Sequence, residues 1–194
     1  MTAGATVPTV IASCAGFAGA VIGGATSISQ TALATEYNCV IIEECLNAAK
    51  VESDESKGNV GGIVGILHDH GKISDCLNTG SGPGGGGHLV GKAYSVTTVK
   101  NSLSIAPVSS WGDVVSYDGH DNSTSGVYYC IDNNTNTPSV IVTGTSFTGL
   151  TYDQIADPKS FVGWDIGTDN ECWTISPHSE HPFPILNVSK FVNR

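Results

Sequence analysis

The chain has 194 residues, of which 8 are Lys or Arg and 18 are Asp or Glu, giving a formal net charge of −10 at pH 7. So few basic residues cannot neutralise a run of phosphates, which argues against nucleic-acid binding, and the negative charge opposes attraction to anionic lipid. The length predicts one domain with a continuous core, and the 24 glycines are typical of a β protein with many turns.

Residues 1–36 carry no charged side chain before Glu36. The segment lacks the basic start of a signal peptide, and Gly, Ser and Thr dilute its apolar stretches, so we predict neither a signal peptide nor membrane insertion. Strands are predicted at residues 7–11 and 17–22. Three roles are open for these strands: a first coil, a cap on an open end, or an arm that adds a strand to a neighbouring molecule. The candidate residues of that assembly arm are Val7, Val10, Ile11, Phe17, Val21 and Ile22.

Residues 37–108 contain a repeated sequence. GGIVG at 61–65 recurs as GHLVG at 87–91, and KISDCLN at 72–78 recurs as TVKNSLS at 98–104. A third copy, VIIEECLN, lies upstream at 40–47, which makes positions 45, 76 and 102 equivalent. Repeats of this period indicate stacked units, because one unit cannot bury its own apolar face.

Each repeat has two apolar runs that are too short for helices and are flanked by Gly, Asn, Ser and Asp. The pattern predicts an all-β fold, a short parallel β-helix in which each repeat forms one coil of two or three strands. Equivalent residues of successive coils would then stack at roughly 4.8 Å, the spacing of paired strands. The charged connection at residues 51–59 is predicted to be a solvated loop at one edge of the stack.

Residues 109–194 are predicted to hold irregular β structure and a cap at the C-terminal end. The stretch VYYCI at 127–131 has the composition of a strand. One short helix is predicted over residues 151–161, because Thr151 and Gln154 form a capping-box pair and Pro158 limits its length. The cap is predicted to be an aromatic plug for the last coil, formed by Trp164, Trp173, Phe183 and Leu186.

The repeats, followed by an ordered C-terminal series, resemble a known family. The series is GVYY at 126–129, GLTYDQ at 149–154, FVGWD at 161–165, WTI at 173–175 and PFPIL at 182–186. Over about residues 37–188 the chain resembles GLUG-motif repeat surface proteins, which are similar to filamentous-haemagglutinin-type adhesins. The resemblance implies a right-handed parallel β-helix and a surface setting, and it carries over no catalytic residue. His88 departs from the family pattern, which has a glycine there.

Cysteines and sequons favour an extracellular or cell-surface protein. The candidate N-glycosylation sites are Asn122, Asn133 and Asn187. Cys45 and Cys76 share a repeat position, so stacked strands would bring them within disulfide range, while two buried free thiols is the alternative. Cys130 and Cys172 are a second candidate pair, between a strand and the plug. The candidate disulfide residues are Cys14, Cys39, Cys45, Cys76, Cys130 and Cys172.

Three groups of side chains suggest chemistry. His68 and His70 would face one side of an extended segment and could share a metal, but a solvated turn is the favoured interpretation. Glu44 and Asp75 share a repeat position, and stacked carboxylates could serve a polysaccharide-acting enzyme. A sugar-stacking platform is predicted at Trp111, Tyr117 and Asp113.

The sequence therefore predicts a non-enzymatic structural or adhesive protein that acts outside the cell or on its surface. Its partners are further copies of itself, in a homo-oligomer, filament or surface layer, and cell-surface glycans. No catalytic residue, metal or cofactor is predicted. A lectin-like carbohydrate-binding module is the alternative, and a polysaccharide-acting enzyme is a third, less favoured hypothesis.

Overall fold

A computed structural model of the chain provides the three-dimensional structure. It describes residues 9–12, 17–19, 22–25, 40–53, 59–68, 70–81, 87–94, 96–107, 114–117, 121–133, 146–164, 166–167, 172–175 and 183–187. The strands in chain order are β1 (Thr9–Ala12), β2 (Phe17–Gly19), β3 (Ile22–Ala25), β4 (Ile41–Glu43), β5 (Leu46–Asn47), β6 (Lys50–Ser53), β7 (Asn59–Gly61), β8 (Val64–Leu67), β9 (Lys72–Ser74), β10 (Leu77–Asn78), β11 (Val90–Ala93), β12 (Thr98–Ser104), β13 (Val115–Tyr117), β14 (Ser123–Cys130), β15 (Phe147–Leu150), β16 (Trp173–Thr174) and β17 (Ile185–Leu186).

Successive repeats pair in parallel, with the register that the sequence alignment of the repeats predicts. The largest sheet has seven strands and runs from β15 through β14, β12 and β10 to β5, with β4 and β9 beside them. Its register partners form two columns of side chains. The leucine column contains Leu46, Leu77, Leu103 and Tyr128, and the asparagine column contains Asn47, Asn78, Ser104 and Tyr129.

The N-terminal strands pair with later strands of the same chain. β1 pairs with β6, β2 with β7 and β3 with β8, all in parallel. The prediction of a solvated loop over residues 51–59 is wrong at its start, because β6 is a paired strand and Val51 is fully buried. Val51 also donates its backbone N–H to the carbonyl of Ser81 at 2.8 Å. β3, β8, β11 and β13 lie side by side, in this order, in a four-stranded sheet.

Two separate cores lie against the seven-stranded sheet. The first contains Ile42, Ile73 and Val99 and extends to the four-stranded sheet through Val64 and Val90. The second contains Leu77, Leu103 and Tyr128. It is covered by Phe161, Trp164 and Trp173, which belong to the part of the chain after β15, called the C-terminal segment. Along β14 the side chains alternate between the two: Val127 and Tyr129 belong to the first core, and Tyr128 and Cys130 to the second. Burial on both faces is typical of parallel sheets.

The predicted short right-handed parallel β-helix is wrong. The strands of the described residues divide among five sheets of two, seven, four, two and two strands, and they trace no closed solenoid. The pairing is mixed, since β16 and β17 are antiparallel. The physical reason is the second core. A β-helix has a single interior, whereas the seven-stranded sheet packs against two separate cores. The leucine column needs an apolar cover of its own, and the C-terminal segment supplies it along the face of the sheet.

The three repeats and β14, which pairs with the last of them, each turn through a left-handed backbone conformation at an equivalent position. The residues there are Glu44 (φ 55°), Asp75 (φ 53°), Asn101 (φ 41°) and Gly126 (φ 62°). Only Gly adopts this conformation without strain, and Asp and Asn tolerate it because their side chains bond locally. The repeated turn separates the strand segment that faces the first core from the segment that also meets the second.

The C-terminal segment contains the only α-helix of the described residues. Helix α1 (Tyr152–Ile155) begins after Thr151, whose side chain accepts the backbone N–H of Gln154 while the Gln154 side chain accepts the N–H of Thr151. The predicted capping box is therefore confirmed. The helix is shorter than predicted, because Asp157 starts a separate 3-10 turn, Pro158–Ser160. The apolar side of α1 places Ile155 in the second core.

Candidate functional site

The outer edge of the seven-stranded sheet, formed by β4 and β5, is the candidate site and is called the first-repeat edge. β4 pairs with β9 and β5 pairs with β10; no other described strand pairs with either of them. Ile41 on β4 is 55% exposed and Leu46 on β5 is 39% exposed. An edge with unpaired backbone groups and apolar side chains is a template for another strand.

Leu46 is the uncovered end of an otherwise buried column. Its register partners Leu77 and Leu103 are fully buried beneath the C-terminal segment. The apolar ladder therefore continues to the surface at the first-repeat edge, where the described structure supplies no further member. Burying the exposed part of Leu46 against another strand would extend the second core by one position.

Amide side chains hold the strands together beside this edge. Asn47 donates through Nδ2 to the Oδ1 of Asn78 at 2.8 Å, and Asn78 donates through its own Nδ2 to the carbonyl of His88 at 2.7 Å. The Oδ1 atoms also accept backbone N–H groups two residues ahead, from Ala49 at 2.7 Å and from Gly80 at 3.1 Å. These bonds fix the turn after β5 and the turn after β10, because both amides are buried.

A thiol column, formed by Cys45, Cys76 and Ser102, precedes the leucine column by one residue. Each side chain donates to the carbonyl two residues earlier: Cys45 to Glu43 at 3.2 Å, Cys76 to Ser74 at 3.1 Å and Ser102 to Lys100 at 2.7 Å. When Cys45 is ionised, the Cys76 thiol can donate to its sulfur instead of to Ser74, and this hydrogen bond lowers the pKa of Cys45 to about 7, against burial and the Glu44 carboxylate. The same bond, followed by burial, raises the pKa of Cys76.

The acidic residues proposed for a polysaccharide-acting enzyme, Glu44 and Asp75, lie where the C-terminal segment contacts the repeats. The Cys172 thiol donates to Oε1 of Glu44, and Trp173 donates through Nε1 to the backbone carbonyl of Asp75 at 3.0 Å. Both acidic residues occupy the left-handed turn. These contacts give the two residues a structural part, which is to attach the C-terminal segment to the first two repeats.

His68 and His70 lie in a tight turn. Gly71 donates its N–H to the carbonyl of His68 at 3.0 Å, and His70 has a positive φ of 60°. The His68 ring stacks on Tyr94 with centroids 3.9 Å apart, and the Lys92 ammonium lies 4.9 Å from the same Tyr94 ring. Among the described residues there is no group of three or more His, Cys, Asp or Glu side chains arranged to hold a metal ion.

His88 is a buried, neutral imidazole. It is 4% exposed, its Nδ1 has no hydrogen-bond partner among the described residues, and burial lowers its pKa to about 4. A proton added there would be a buried charge, so folding opposes protonation.

The stability of the fold is expected to fall as the pH drops from about 6.5 to about 4, since over this window the unfolded chain binds a proton at His88 that the folded chain does not. The contribution is fully present above the unfolded pKa and is lost as the pH falls through the folded one, a change of roughly 3 kcal/mol. Urea unfolding across this range measures it. His88→Leu removes the titrating group and should flatten that part of the profile; an unchanged profile in this variant would refute the assignment.

The structure describes only part of the predicted assembly arm and of the predicted sugar platform. In the assembly arm, Val10 and Ile11 lie on β1, Phe17 on β2 and Ile22 on β3, each paired within the chain, whereas Val7 and Val21 lie outside the described residues. In the sugar platform, Tyr117 ends β13, and Trp111 and Asp113 lie outside the described residues.

The three sequon asparagines differ in their surroundings. Asn122 is buried, and its Oδ1 accepts both the N–H and the hydroxyl of Thr97 at 2.8 Å, so that a glycan has no room there in the folded chain. Asn133 donates to the carbonyl of Ile105 and accepts the Tyr152 hydroxyl. Asn187 donates its backbone N–H to the carbonyl of Cys172 at 2.8 Å.

The structure forms no disulfide at the four described cysteines, Cys45, Cys76, Cys130 and Cys172. Cys130 and Cys172 both lie in the second core and form no disulfide with each other. Cys14 and Cys39 lie outside the described residues.

Sequence reasoning missed the residues that define the first-repeat edge. No function was predicted from the sequence for Ile41, Leu46, Asn47 or Asn78. The repeated CLN triplet at 45–47 and 76–78 could have indicated that these positions matter. An apolar residue between two inward-facing positions of a strand points to the opposite face, which indicates that this face also needs a cover.

No helix of the described chain has the length and apolar character needed to cross a bilayer. Comparison of the sequence and structure with protein-family models, with curated proteins and with solved structures found no match.

Proposed function

We propose that this protein is a structural subunit of an extracellular or cell-surface assembly, built by strand addition at the first-repeat edge. The observation that carries the proposal is the exposure of Ile41 and Leu46 on strands that end a seven-stranded sheet. The resemblance of the repeats to GLUG-motif surface proteins supports the same setting. The proposal needs no enzymatic activity, metal or cofactor.

The partner we propose for this edge is β15 of a second copy. β15 ends the same sheet on the opposite side, so placing it beside β4 and β5 continues the parallel pairing from one molecule into the next. The two edges differ, which makes the contact heterologous. A heterologous contact that does not close into a ring produces a filament.

Exchange of the N-terminal arm is a weaker route to assembly. β1, β2 and β3 already pair within the chain, with β6, β7 and β8. An arm that docked on a neighbour would have to give up these pairings, whereas the first-repeat edge gives up none among the described residues.

Replacing Leu46 by lysine, alone and together with Ile41→Lys, is expected to convert the assembled protein to a monomer. A lysine on an edge strand keeps its charge in water and prevents another strand from approaching. Size-exclusion chromatography with light scattering, together with negative-stain electron microscopy, measures the change. Val162→Lys is the matched control, because Val162 is a large apolar residue that is 79% exposed and lies outside β4 and β5, with its backbone N–H bonded to Tyr128 on β14.

Loss of assembly in both edge variants, with assembly kept in Val162→Lys, is the result expected. A wild-type protein that stays monomeric at all concentrations would refute the proposal. So would edge variants that assemble as the wild type does, and the β1–β3 arm would then be the next segment to test.

A further inference from the structure

Cys45 and Cys76 lie side by side on neighbouring parallel strands. Leu46 and Leu77, the residues that follow them, are register partners, and Leu77 donates its N–H to the carbonyl of Cys45 at 2.9 Å. Neighbouring strands are about 4.8 Å apart, which lies within the Cα separation that a disulfide spans. No movement of the backbone between repeats is therefore required to join the two residues.

The two thiols also point in the same direction. Each donates to the carbonyl two residues before it, Cys45 to Glu43 and Cys76 to Ser74, so the sulfurs lie one above the other on the same face of the sheet. Ser102 repeats this arrangement one strand further on and donates to Lys100 at 2.7 Å. The third position of the column thus shows that an oxygen fits where the sulfurs lie.

Access to the two sulfurs differs. Cys45 is half-buried at the outer edge of the sheet, whereas Cys76 is fully buried in the first core. A reagent from solution therefore meets Cys45 first. Cys130 and Cys172 are also buried, in the second core.

We propose that Cys45 and Cys76 form a redox-active dithiol site, in which Cys45 is the attacking thiol and Cys76 is the resolving thiol. The oxidant is a small-molecule disulfide of the glutathione class. This site forms within one chain, so it does not need the assembly proposed above, although Cys45 lies between β4 and β5 on the first-repeat edge.

The reaction has two exchange steps. The Cys45 thiolate attacks one sulfur of the small disulfide, forming a mixed disulfide and releasing one small thiolate, which takes up the proton that Cys45 lost. Cys76 then attacks the Cys45 sulfur, forming the protein disulfide and releasing the second small thiolate, which takes up the Cys76 proton. One disulfide is reduced to two thiols, and two protein thiols are oxidised to one disulfide.

The hydrogen bond between the thiols supports this order. When Cys45 ionises, the Cys76 hydrogen can turn from the Ser74 carbonyl to the Cys45 sulfur, and this bond lowers the pKa of Cys45 to about 7. A thiolate populated near neutral pH is the reactive form of cysteine. The buried Cys76 stays protonated until the mixed disulfide places a sulfur within its reach.

The test is to treat the folded protein, at a concentration low enough for it to be monomeric, with oxidised glutathione and to map every cysteine by peptide mass spectrometry. The wild type is expected to form a Cys45–Cys76 disulfide. Cys76→Ser, which copies Ser102, is expected to stop at glutathione bound to Cys45. In Cys45→Ser, modification of Cys76 should be at least about tenfold slower than that of Cys45 in Cys76→Ser.

The rate of Cys45 alkylation by iodoacetamide should reach half its maximum near pH 7, where its thiolate is half populated. Modification of Cys76 before Cys45 would overturn the proposal. So would a folded wild type that never forms the Cys45–Cys76 bond, with the urea-unfolded chain as the reference for unrestricted reaction. This last result needs no variant, so it stands even if a substituted chain fails to fold.

Discussion

Asn78→Ala is expected to lower the free energy of unfolding by about 4 kcal/mol, the largest effect of any single polar substitution in the described core. Asn78 is buried and makes three hydrogen bonds: it donates to the carbonyl of His88 and accepts from Asn47 and from the N–H of Gly80. Truncation removes a hydrogen-bond partner from the His88 carbonyl, the Asn47 side-chain amide and the Gly80 N–H, in a place that water does not reach. Urea unfolding followed by circular dichroism measures the change.

Ser104→Ala is the matched control, because Ser104 occupies the next buried position of the asparagine column and its hydroxyl has no hydrogen-bond partner among the described residues. Removing an unsatisfied hydroxyl is expected to change the stability by less than about 1 kcal/mol. Equal losses in the two variants would show that the side-chain bonds of Asn78 do not carry its effect.

Trp173→Ala is expected to cost about 4 kcal/mol and to detach the C-terminal segment from the sheet before the rest of the chain unfolds. Trp173 is fully buried, its ring centroid lies 5.8 Å from that of Trp164, and its Nε1 donates to the Asp75 carbonyl at 3.0 Å. Trp173 also belongs to the second core with Leu77, so its ring joins the C-terminal segment to the second repeat by packing and by one hydrogen bond. Unfolding followed by tryptophan fluorescence and by circular dichroism should give two separate transitions.

A pair of phenylalanine variants separates the bond from the packing. Trp173→Phe loses both ring area and the bond to Asp75, whereas Trp164→Phe loses ring area alone, because the Trp164 Nε1 has no hydrogen-bond partner among the described residues. The first variant should be less stable than the second by about 1 kcal/mol or more. The reverse order would mean that the Asp75 contact contributes nothing.

The sequence was sufficient to predict the pairing of the repeats. Matching KISDCLN with TVKNSLS and with the upstream copy gives the observed register of Leu46, Leu77 and Leu103. This succeeded because a one-residue slip would move every inward side chain to the other face of the sheet. The capping box at Thr151 was predictable for a local reason, since both partners lie within four residues.

The closed β-helix was predicted wrongly because the sequence pattern does not distinguish one buried face from two. Cys76 and Leu77 are adjacent and both fully buried, yet they belong to different cores. The cover for Leu77 comes from Phe161, Trp164 and Trp173, which are distant along the chain, and short apolar runs do not encode such partners. β6 was missed for the same reason, because its partner β1 is remote in sequence.

The first-repeat edge was not predicted because exposure at an edge depends on which strand comes last. Leu46 and Leu77 have the same neighbours in sequence, but one is 39% exposed and the other is fully buried. The difference comes from the end of the sheet and the position of the C-terminal segment, and neither is a property of the repeat itself.

The position of β10 and β12 between two cores sets the order in which the molecule opens. Over Leu77–Asn78 and residues 102–104 the backbone groups are paired on both sides and the side chains are buried, so exchange of these amide protons with water requires the whole sheet to come apart. At β5 and β15 the amides exchange through local fraying. Local stability therefore forms a gradient that decreases from Leu103 outward to Leu46, and the strands we propose for assembly are the ones whose opening costs the fold least.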